Sequence, residues 1–320
     1  MTATGKGPCD VLVVGEYFCD LIFSGLSDVP KPGAEFFADG LVMRPGGCYT
    51  SALALTRLGV ASAWAADFGT DVFSRIVLAE AERDGIDPRA FHRLDVPAQR
   101  VSAAFSHRGE RGFISFSETE VTPPDPRLLD RLKPKWLLQT FRFDADWLDF
   151  LLAAKARGIS IFGDCRHGDF DLTTPGVRQF IGLLDVFSPN EAEALALTGK
   201  ADIGSAIEEL AAITSTVVVK RGPFGASAVD HGKRLDVPAP GVDVIDTVGA
   251  GDAFDAGFLA GSVWGSGFAE CVRLAVACGS LSTTGAGSGA VPTAAELASF
   301  TARTAGAMKP VYGCAPLLLS

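Results

Sequence analysis

Short apolar runs alternate along most of the chain with stretches of helical periodicity. The first run, at 10–15, ends in a glycine and is typical of a strand that is buried on both faces. Alternation of strands and helices indicates βαβ units, and therefore a parallel sheet with helices on both faces. The predicted strands are 10–15, 61–67, 136–138, 159–162, 186–187 and 216–219, and the predicted helices are 51–59, 73–83, 146–157, 175–183, 190–197, 204–213, 253–261 and 268–282.

Two segments interrupt this alternation. Residues 26–47 are rich in proline and glycine, which favours an extended excursion over a helix. Segments 101–106 and 113–117 alternate in polarity around 108–112, which predicts a β-hairpin. No internal repeat or linker divides the chain. We therefore predict a single α/β domain over 1–310 with lid strands inserted at about 33–43 and 101–118, followed by a C-terminal tail, 311–320, that packs against the domain.

Composition and charge narrow the classes of partner. A chain of 320 residues with 48% hydrophobic and 21% charged residues has the balance of a globular protein, which excludes disorder for most of it. The net charge of −10, with no basic run, repels phosphate backbones, so we predict no nucleic-acid partner. A local pocket can still take a small anion. No apolar stretch is long enough to predict a membrane span.

The cysteines and the N-terminus indicate the compartment. Seven cysteines are scattered without a C-x-x-C pair, and the spacing of Cys165 and His167 has no second half that would complete a zinc site. The first residues are small and polar and lack the apolar region of a signal peptide. We therefore expect a reduced, cytoplasmic protein without structural zinc or disulfides.

The most informative segment is 246–252, which reads D-T-V-G-A-G-D. Gly249, Ala250 and Gly251 carry no bulky side chains, so the backbone N–H groups of 249–252 can converge on one anion at a helix start. Asp252 can be a helix cap, but a carboxylate beside an anion site costs electrostatic energy. Its position suits a base that takes a proton from a hydroxyl while the backbone stabilises a transferring phosphoryl group.

This segment resembles the C-terminal signature, D-T-x-G-A-G-D, of the ribokinase-like (phosphofructokinase B-type) carbohydrate kinase family. Four other stretches resemble family motifs in the same order, and together the matches span about residues 10–300. They are G-E-Y-F-C-D at 15–20, the Gly-Gly signature at 45–59, N-x-x-E at 190–193 and the K-R-G-P-F-G turn at 220–225. No P-loop motif is present, and the four histidines show no nucleophile spacing.

The resemblance implies a three-layer sandwich, with a mostly parallel central sheet and helices on both faces, plus a small β-sheet lid that closes over the substrate. It implies an ATP-dependent phosphotransferase acting on a hydroxyl of a small sugar or sugar-like substrate, with Asp252 as general base and 249–252 as anion hole. ATP and Mg²⁺ are the implied cofactors, with K⁺ a further one. The extended flap itself is an exposed sheet edge of the kind that often pairs with a second subunit, so we expect a homodimer through the lid.

The resemblance also assigns roles to individual residues, each with a plainer alternative. The acid near the first strand could be a surface loop acid, the glycines ordinary turns, and N-x-x-E a solvated helix N-terminus. The residues implied to bind the substrate are Asp20, Gly46, Gly47, Thr50 and Phe18. Those implied to bind the nucleotide are Asn190, Glu193, Lys220, Gly222 and Gly225, and Glu193 is also implied to bind Mg²⁺ through water. The implied K⁺ ligands are backbone carbonyls near Asp246 and Val248 and around 284–289.

The chain departs from the family pattern at the substrate end. Phe18 stands where the family usually has an asparagine. The Gly-Gly signature usually carries another asparagine, but here the signature is one residue short and Thr50 is at the nearest place. Both asparagines normally bind sugar hydroxyls, so their absence leaves the substrate open. The alternatives are a nucleoside kinase of the same family and a non-catalytic sugar- or nucleotide-binding protein that keeps the fold.

Overall fold

The computed structural model describes residues 7–107, 110–285 and 287–313. The strands are β1 (Val11–Val14), β2 (Tyr17–Ser24), β3 (Gly40–Gly47), β4 (Ser62–Phe68), β5 (Phe91–Arg93), β6 (Arg100–His107), β7 (Glu110–Ser117), β8 (Trp136–Thr140), β9 (Ser160–Asp164), β10 (Val186–Ser188), β11 (Thr216–Lys220), β12 (Ala226–Asp230), β13 (Lys233–Val237) and β14 (Val311–Gly313). The helices are α1 (Cys48–Arg57), α2 (Val72–Arg83), α3 (Arg127–Leu132), α4 (Ala145–Lys155), α5 (Val177–Leu183), α6 (Glu191–Thr198), α7 (Ile203–Ala211), α8 (Ala250–Val263), α9 (Phe268–Ser282) and α10 (Ala294–Thr304).

Most strands form one ten-stranded sheet in the order β14-β13-β12-β11-β10-β9-β8-β1-β4-β5. From β11 to β5 the neighbouring strands run parallel. Every residue of β1 is buried, because Val11 and Val13 face one core while Leu12 and Val14 face the other. Helices α1, α2, α8, α9 and α10 contribute to the first core, and α3 to α7 to the second. The predicted α/β architecture with helices on both faces is confirmed.

One edge of this sheet was not predicted. Strands β12, β13 and β14 pair antiparallel beyond β11, and β12 turns into β13 through His231 and Gly232, both with positive φ. The segment mixes small, charged and apolar residues, so its alternation is weak. Helix α10, also missed, begins with a capping box between Thr293 and Glu296. The predicted tail supplies β14, while residues 314–320 lie outside the described part of the chain.

A separate four-stranded sheet, in the order β3-β2-β6-β7, forms the lid. The lid strand predicted at about 33–43 is wrong in its bounds, because β3 runs from Gly40 to Gly47 and 28–39 form no strand. Strand β2 was missed: the chain leaves β1 at Gly15 and enters the lid only two residues later. The hairpin β6–β7 matches the predicted 101–118, although its turn at 108–109 lies outside the described residues.

The helix predicted from residue 51 starts three residues earlier, at Cys48, directly after β3. Gly47 precedes it with φ 63, and a Cβ there would lie 2.8 Å from the carbonyl oxygen of Glu16. Only glycine fits this passage from lid to helix. Thr50 and Ser51 are thereby placed in the first turn of α1, facing α8. No helix in the described ranges is long and apolar enough to cross a membrane.

Candidate active site

A cavity of about 690 Å³ opens at the carboxyl edge of the central sheet, where open α/β folds bind ligands. Its walls come from the ends of β9 and β11, the start of α6, the start of α8 and the loop 239–247. The residues that line it and matter below are Asp164, Asn190, Glu193, Lys220, Gly222, Gly225, Ala250, Gly251 and Asp252.

Asp252 lies in the first turn of α8 and does not cap the helix. Gly249 is the residue before the helix, with φ 75, and no side chain caps it. Asp252 instead accepts a hydrogen bond of 2.8 Å from Ser51 Oγ on α1. Burial, and then the charge of Asp164, raise the pKa of Asp252 to about 7, while the Ser51 hydrogen bond and Lys220 oppose the shift. A carboxylate with that pKa can exchange a proton near neutral pH.

The backbone at 249–252, which we term the backbone cradle, is open for a ligand only in part, because the Ala250 N–H donates to the Thr247 carbonyl oxygen at 3.3 Å. The N–H groups of Gly251 and Asp252 donate to no backbone carbonyl within the described residues. A Cβ on Gly249 would lie 2.8 Å from Thr50 Cγ2, so glycine is required there by contact as well as by φ. Free N–H groups at the start of a fourteen-residue helix suit an anion.

Beside the backbone cradle lies a charged cluster that the sequence analysis identified only through Lys220. The Nζ of Lys220 lies 2.6 Å from Asp164 Oδ1 and 3.1 Å from Asp255 Oδ2. Asp255 also accepts a hydrogen bond of 2.9 Å from Ser188 Oγ. Burial alone lowers the pKa of Lys220, but Asp164, Asp255 and Glu193 raise it above its usual value. A signal was present, because Asp164 and Ser188 follow within two residues of the predicted strands 159–162 and 186–187.

Asn190 and Glu193 form the capping box of α6. The Asn190 side chain accepts from the Glu193 N–H at 2.9 Å, and Glu193 Oε2 accepts from the Asn190 N–H at 2.8 Å. These hydrogen bonds are those of an ordinary helix N-terminus, the alternative to a nucleotide-binding role. Both residues nevertheless also line the cavity. Burial raises the pKa of Glu193, and Lys220 opposes that shift. One carboxylate oxygen of Glu193 and the amide nitrogen of Asn190 are left for a ligand.

Gly222 and Gly225 flank a 3₁₀ turn after β11, with φ 52 and 88. A Cβ on Gly225 would lie 2.0 Å from the Val237 carbonyl oxygen, so this glycine is required by the backbone at the end of β13. A Cβ on Gly222 would meet nothing within 4 Å. Both residues line the cavity, but the turn alternative explains Gly225 without a nucleotide.

Asp20 was expected just past the first strand, at the carboxyl end of the central sheet. It lies instead in the middle of lid strand β2. It is 8% exposed, and its carboxylate accepts no hydrogen bond from the described residues. Burial, and then the charge of Asp252, raise the pKa of Asp20 to about 7. A Cβ on Gly46 would lie 2.1 Å from Asp20 Oδ2, so Gly46 is small to make room for this carboxylate. The charges of Asp20 and Asp252 are therefore close enough to interact.

The strand register shows which residues share the lid face of Asp20. Phe18, half-buried, precedes it by two residues on β2 and pairs with Gly46. Asp20 itself pairs with Arg44 on β3 and Ser102 on β6, and the Ser102 hydroxyl lies 2.7 Å from that of Ser115 on β7. Sequence reasoning missed Arg44, Ser102 and Ser115, because only pairing across the lid places them beside Asp20. Thr50 is buried against Gly249.

Asp246 connects two loops at the far side of the backbone cradle. Its carboxylate accepts from the Val248 N–H at 2.9 Å and from the Gly287 N–H at 2.8 Å. This brings the expected K⁺ region together, except that residue 286 lies outside the described ranges. No group of three or more His, Cys, Asp or Glu suited to a metal ion occurs within the described residues.

Comparison with known proteins identifies the class. The model of the pfkB family of carbohydrate kinases matches residues 10–294, so the chain belongs to that family and is a carbohydrate kinase. The predicted family resemblance is confirmed.

Three of the individual proteins to which this chain is similar are kinases of small molecules. A fructokinase from Klebsiella pneumoniae is 30% identical over 282 residues, which is 77% of this chain and 88% of the relative. A cytidine kinase from Thermococcus kodakarensis is 37% identical over 102 residues, only 31% of this chain and 36% of the relative. The structure of Arabidopsis thaliana ribokinase complexed with ribose and ATP superposes with a TM-score of 0.79 at 22% identity, covering 92% of this chain and 98% of that one.

Proposed function

We propose that this carbohydrate kinase transfers the terminal phosphoryl group of ATP to a hydroxyl of a small sugar or sugar-like substrate, with Asp252 as general base. The observation that carries the proposal is a buried carboxylate with a pKa of about 7 beside two backbone N–H groups that donate to no carbonyl in the part of the chain that the structure describes. A base and an anion hole at one helix start are what transfer to a hydroxyl requires.

The chemistry follows from these positions. Ionised Asp252 takes the proton of the acceptor hydroxyl as its oxygen attacks the terminal phosphorus, and the bond to the leaving phosphate oxygen breaks. Ser51 donates to one carboxylate oxygen, which leaves the other for the acceptor. The N–H groups of the backbone cradle stabilise the charge on the transferring group. The product is a phosphate monoester together with ADP.

The cavity suits ATP and Mg²⁺. Its volume lies in the range of nucleotide and drug-sized sites, and Gly222, Gly225 and the 239–244 segment form its outer wall. Asn190 and Glu193, beside the Asp164 carboxylate, would hold Mg²⁺ through water, in keeping with the reluctance of this ion to lose its water ligands. Mg²⁺ would supply neutralisation of phosphate charge. Backbone carbonyls near Asp246 and Val248 would hold K⁺.

The acceptor would bind on the inner lid face. The carboxylate of Asp20, which accepts no hydrogen bond from the described part of the chain, can accept hydrogen bonds from two neighbouring hydroxyls, and Gly46 and Gly47 keep the backbone clear of the ring. Thr50 borders the site from α1. Phe18 offers an aromatic face where a sugar kinase would present an amide. This favours a nucleoside, a deoxy-sugar or a substituted sugar over plain ribose.

The test is acceptor-dependent release of ADP from Mg·ATP across a panel of pentoses, hexoses, deoxy-sugars and nucleosides. We expect turnover with at least one acceptor, and the best one names the substrate class. A nucleoside as sole good acceptor would establish the second candidate, a nucleoside kinase. If calorimetry shows that a panel member binds but no ADP forms with any acceptor, the chain is a non-catalytic binding protein and the proposal is wrong.

We also propose that the lid pairs two copies of the chain. On its outer face, opposite Asp20, register places Leu41 and Met43 of β3 and Ile114 and Phe116 of β7, all between 40% and 69% exposed, on either side of β2 and β6. An apolar sheet face of this kind is costly in water and is covered by an identical face in a twofold dimer. Ile114→Lys should convert a dimer to a monomer in sedimentation analysis, whereas Val244→Lys, at an exposed position outside the lid, should leave the mass unchanged. A monomeric wild-type chain contradicts this.

A further inference from the structure

Three consecutive strands of the central sheet deliver polar side chains to one point beneath α8. Asp164 ends β9, Ser188 ends β10 and Lys220 ends β11. Ser188 and Lys220 contact Asp255, which lies one helical turn after Asp252 on α8, and Asp164 contacts Lys220. The carboxyl ends of parallel strands meet at one edge, which explains why residues distant in sequence gather here.

The two carboxylates that contact Lys220 occupy different positions. Asp164 lines the cavity, and its side chain is 24% exposed. Asp255 is 1% exposed and is not part of the cavity wall. It lies among the apolar residues that α8 packs into the core. Lys220 therefore has one carboxylate partner on the side of the cavity, Asp164, and one on the side of the core, Asp255.

Stability alone gives no reason for a carboxylate at position 255. A buried ion pair is often no more stabilising than a well-packed apolar pair, because both ions lose their water. The neighbouring positions of α8 are Ala, Gly, Phe and Leu, which shows that this core accepts apolar residues. Burial raises the pKa of Asp255, and the ammonium group of Lys220 opposes that shift.

The ammonium group of Lys220 reaches the backbone cradle. A Cβ built on Gly251 would lie 3.7 Å from Lys220 Nζ and 4.0 Å from Cε. The side chain thus stands beside the free N–H groups at which the terminal phosphoryl group of ATP is expected. Lysine is a compact charge on a flexible stem, and it needs neighbouring groups to fix its direction.

We propose that Asp255, with the hydroxyl of Ser188, is a positioning residue that holds the Lys220 ammonium group against the backbone cradle, so that Lys220 contacts the terminal phosphate of ATP. This inference rests on the proposed function, since it assumes that the cradle receives that phosphate. Asp164 gives up its contact with Lys220 to the phosphate, while Asp255 keeps its contact with Lys220 and Ser188 keeps its hydrogen bond to Asp255. Asp255 itself touches no substrate.

The test compares the affinities of two nucleotides by calorimetry, with Mg²⁺ in both cases: AMP-PNP, which has a third phosphate, and ADP, which does not. In Asp255→Asn we expect AMP-PNP to bind about tenfold more weakly, as for loss of a charge-assisted contact, and ADP within about twofold of wild type. Ser188→Ala should shift the same ratio in the same direction by a smaller factor. In turnover, kcat should fall more than KM for ATP rises.

The matched control is Asp185→Asn. Like Asp255, Asp185 pairs with a lysine, Lys155 at 2.8 Å, but it directly precedes β10, at the edge of the central sheet opposite the site. We expect it to leave the affinity ratio and kcat unchanged. Circular dichroism and melting of each variant show that the fold is kept.

A double-mutant cycle tests whether Asp255 acts through Lys220. Lys220→Met should lower the affinity for AMP-PNP as Asp255→Asn does, and adding Asp255→Asn to Lys220→Met should change it by less than about twofold. If Lys220→Met does not fold, the ratio measured for Asp255→Asn and Ser188→Ala still decides. Fully additive losses would overturn the proposal, as would equal weakening of both nucleotides or an unchanged ratio in Asp255→Asn.

These outcomes are separate from the fate of the proposed function. An unchanged ratio in Asp255→Asn, with acceptor-dependent ADP release by the wild type, overturns the positioning role and leaves the kinase intact. A wild type that binds AMP-PNP but phosphorylates no acceptor overturns the kinase proposal, while the affinity ratio still reports the contact of Lys220 with a third phosphate.

Discussion

The transfer end and the acceptor end of the site are held by different kinds of contact. At the transfer end, Asp252, Asp255 and Lys220 each have a hydroxyl or charged partner within about 3 Å, supplied by α1 and by the ends of adjacent parallel strands. At the acceptor end, Asp20 lies on a lid strand and has no hydrogen-bond partner in the described ranges. The first arrangement is complete without substrate, whereas the second lacks the groups that a substrate would bring.

This difference explains where specificity can vary. Replacing Lys220 by an apolar residue would leave the carboxylates of Asp164 and Asp255 without their cation, and leaving a buried charge unpaired costs several kcal/mol. The acceptor face consists of side chains on lid strands that pair through backbone hydrogen bonds, so its residues can change without disturbing the core. Of the two departures from the family pattern, Phe18 lies on the lid face that carries Asp20, whereas Thr50 lies on α1 against Gly249 of the backbone cradle.

The largest effect should come from Asp252→Asn, which removes the base and keeps the shape. We expect kcat to fall by about 10²–10⁴, as for loss of general base catalysis, with ATP affinity within a few-fold of wild type. Rapid-quench measurement of product and calorimetry with Mg·AMP-PNP check the two parts. Retention of more than a tenth of the wild-type kcat would show that Asp252 is not the base.

At the acceptor end, Asp20→Ala should act on binding. Loss of charge-assisted hydrogen bonds to two hydroxyls should lower kcat/KM by about 2–4 kcal/mol, most of it through KM. Asp20→Asn, which fills the same space beside Gly46, separates charge from packing and should lose less. Steady-state kinetics with the best acceptor decides, and an unchanged KM removes Asp20 from the site.

The pH dependence links both ends, because Asp20 and Asp252 each have a pKa raised to about 7. Only ionised Asp252 can act as base, so kcat/KM should fall about tenfold per pH unit below 7. Folding stability should change the opposite way, since a carboxyl whose pKa is raised on folding stabilises the fold at low pH and loses this as pH rises through 7.

Asp252→Asn should therefore be more stable than wild type at pH 8 by about 2–4 kcal/mol and lose most of this advantage at pH 5. Urea unfolding at the two pH values is the measurement. If the variant is less stable than wild type at pH 8, burial of the ionised Asp252 carboxylate does not destabilise the folded protein.

The smallest and most informative change is Phe18→Asn. If Phe18 selects a flat or apolar face, the variant should shift the ranking of acceptors towards ribose by about tenfold in kcat/KM, the ratio for about 1.4 kcal/mol. The same panel measured on both proteins decides. A variant that only loses stability, with the ranking unchanged, would show that Phe18 packs without contacting the substrate.

Local sequence determined one end of the site almost completely. In the segment 246–252, Gly249 adopts a positive φ that favours glycine, and Asp252 follows it by three residues. The backbone cradle and the position of Asp252 therefore follow from neighbouring residues. The helix and strand pattern likewise determined the parallel sheet, since βαβ units leave little freedom of hand or order. These features depend on contacts that are short in sequence.

Tertiary structure alone decided the rest. Ser51 meets Asp252 across 201 positions of the chain, and Lys220 meets Asp164 across 56, so neither contact leaves a periodic trace. The lid register that brings Arg44, Ser102 and Ser115 to Asp20 depends on pairing between distant strands, and a shift of one residue would turn every side chain to the other face. Sequence therefore determined the chemistry of transfer, because local backbone conformation creates it, whereas strand pairing and burial decided which groups surround the acceptor.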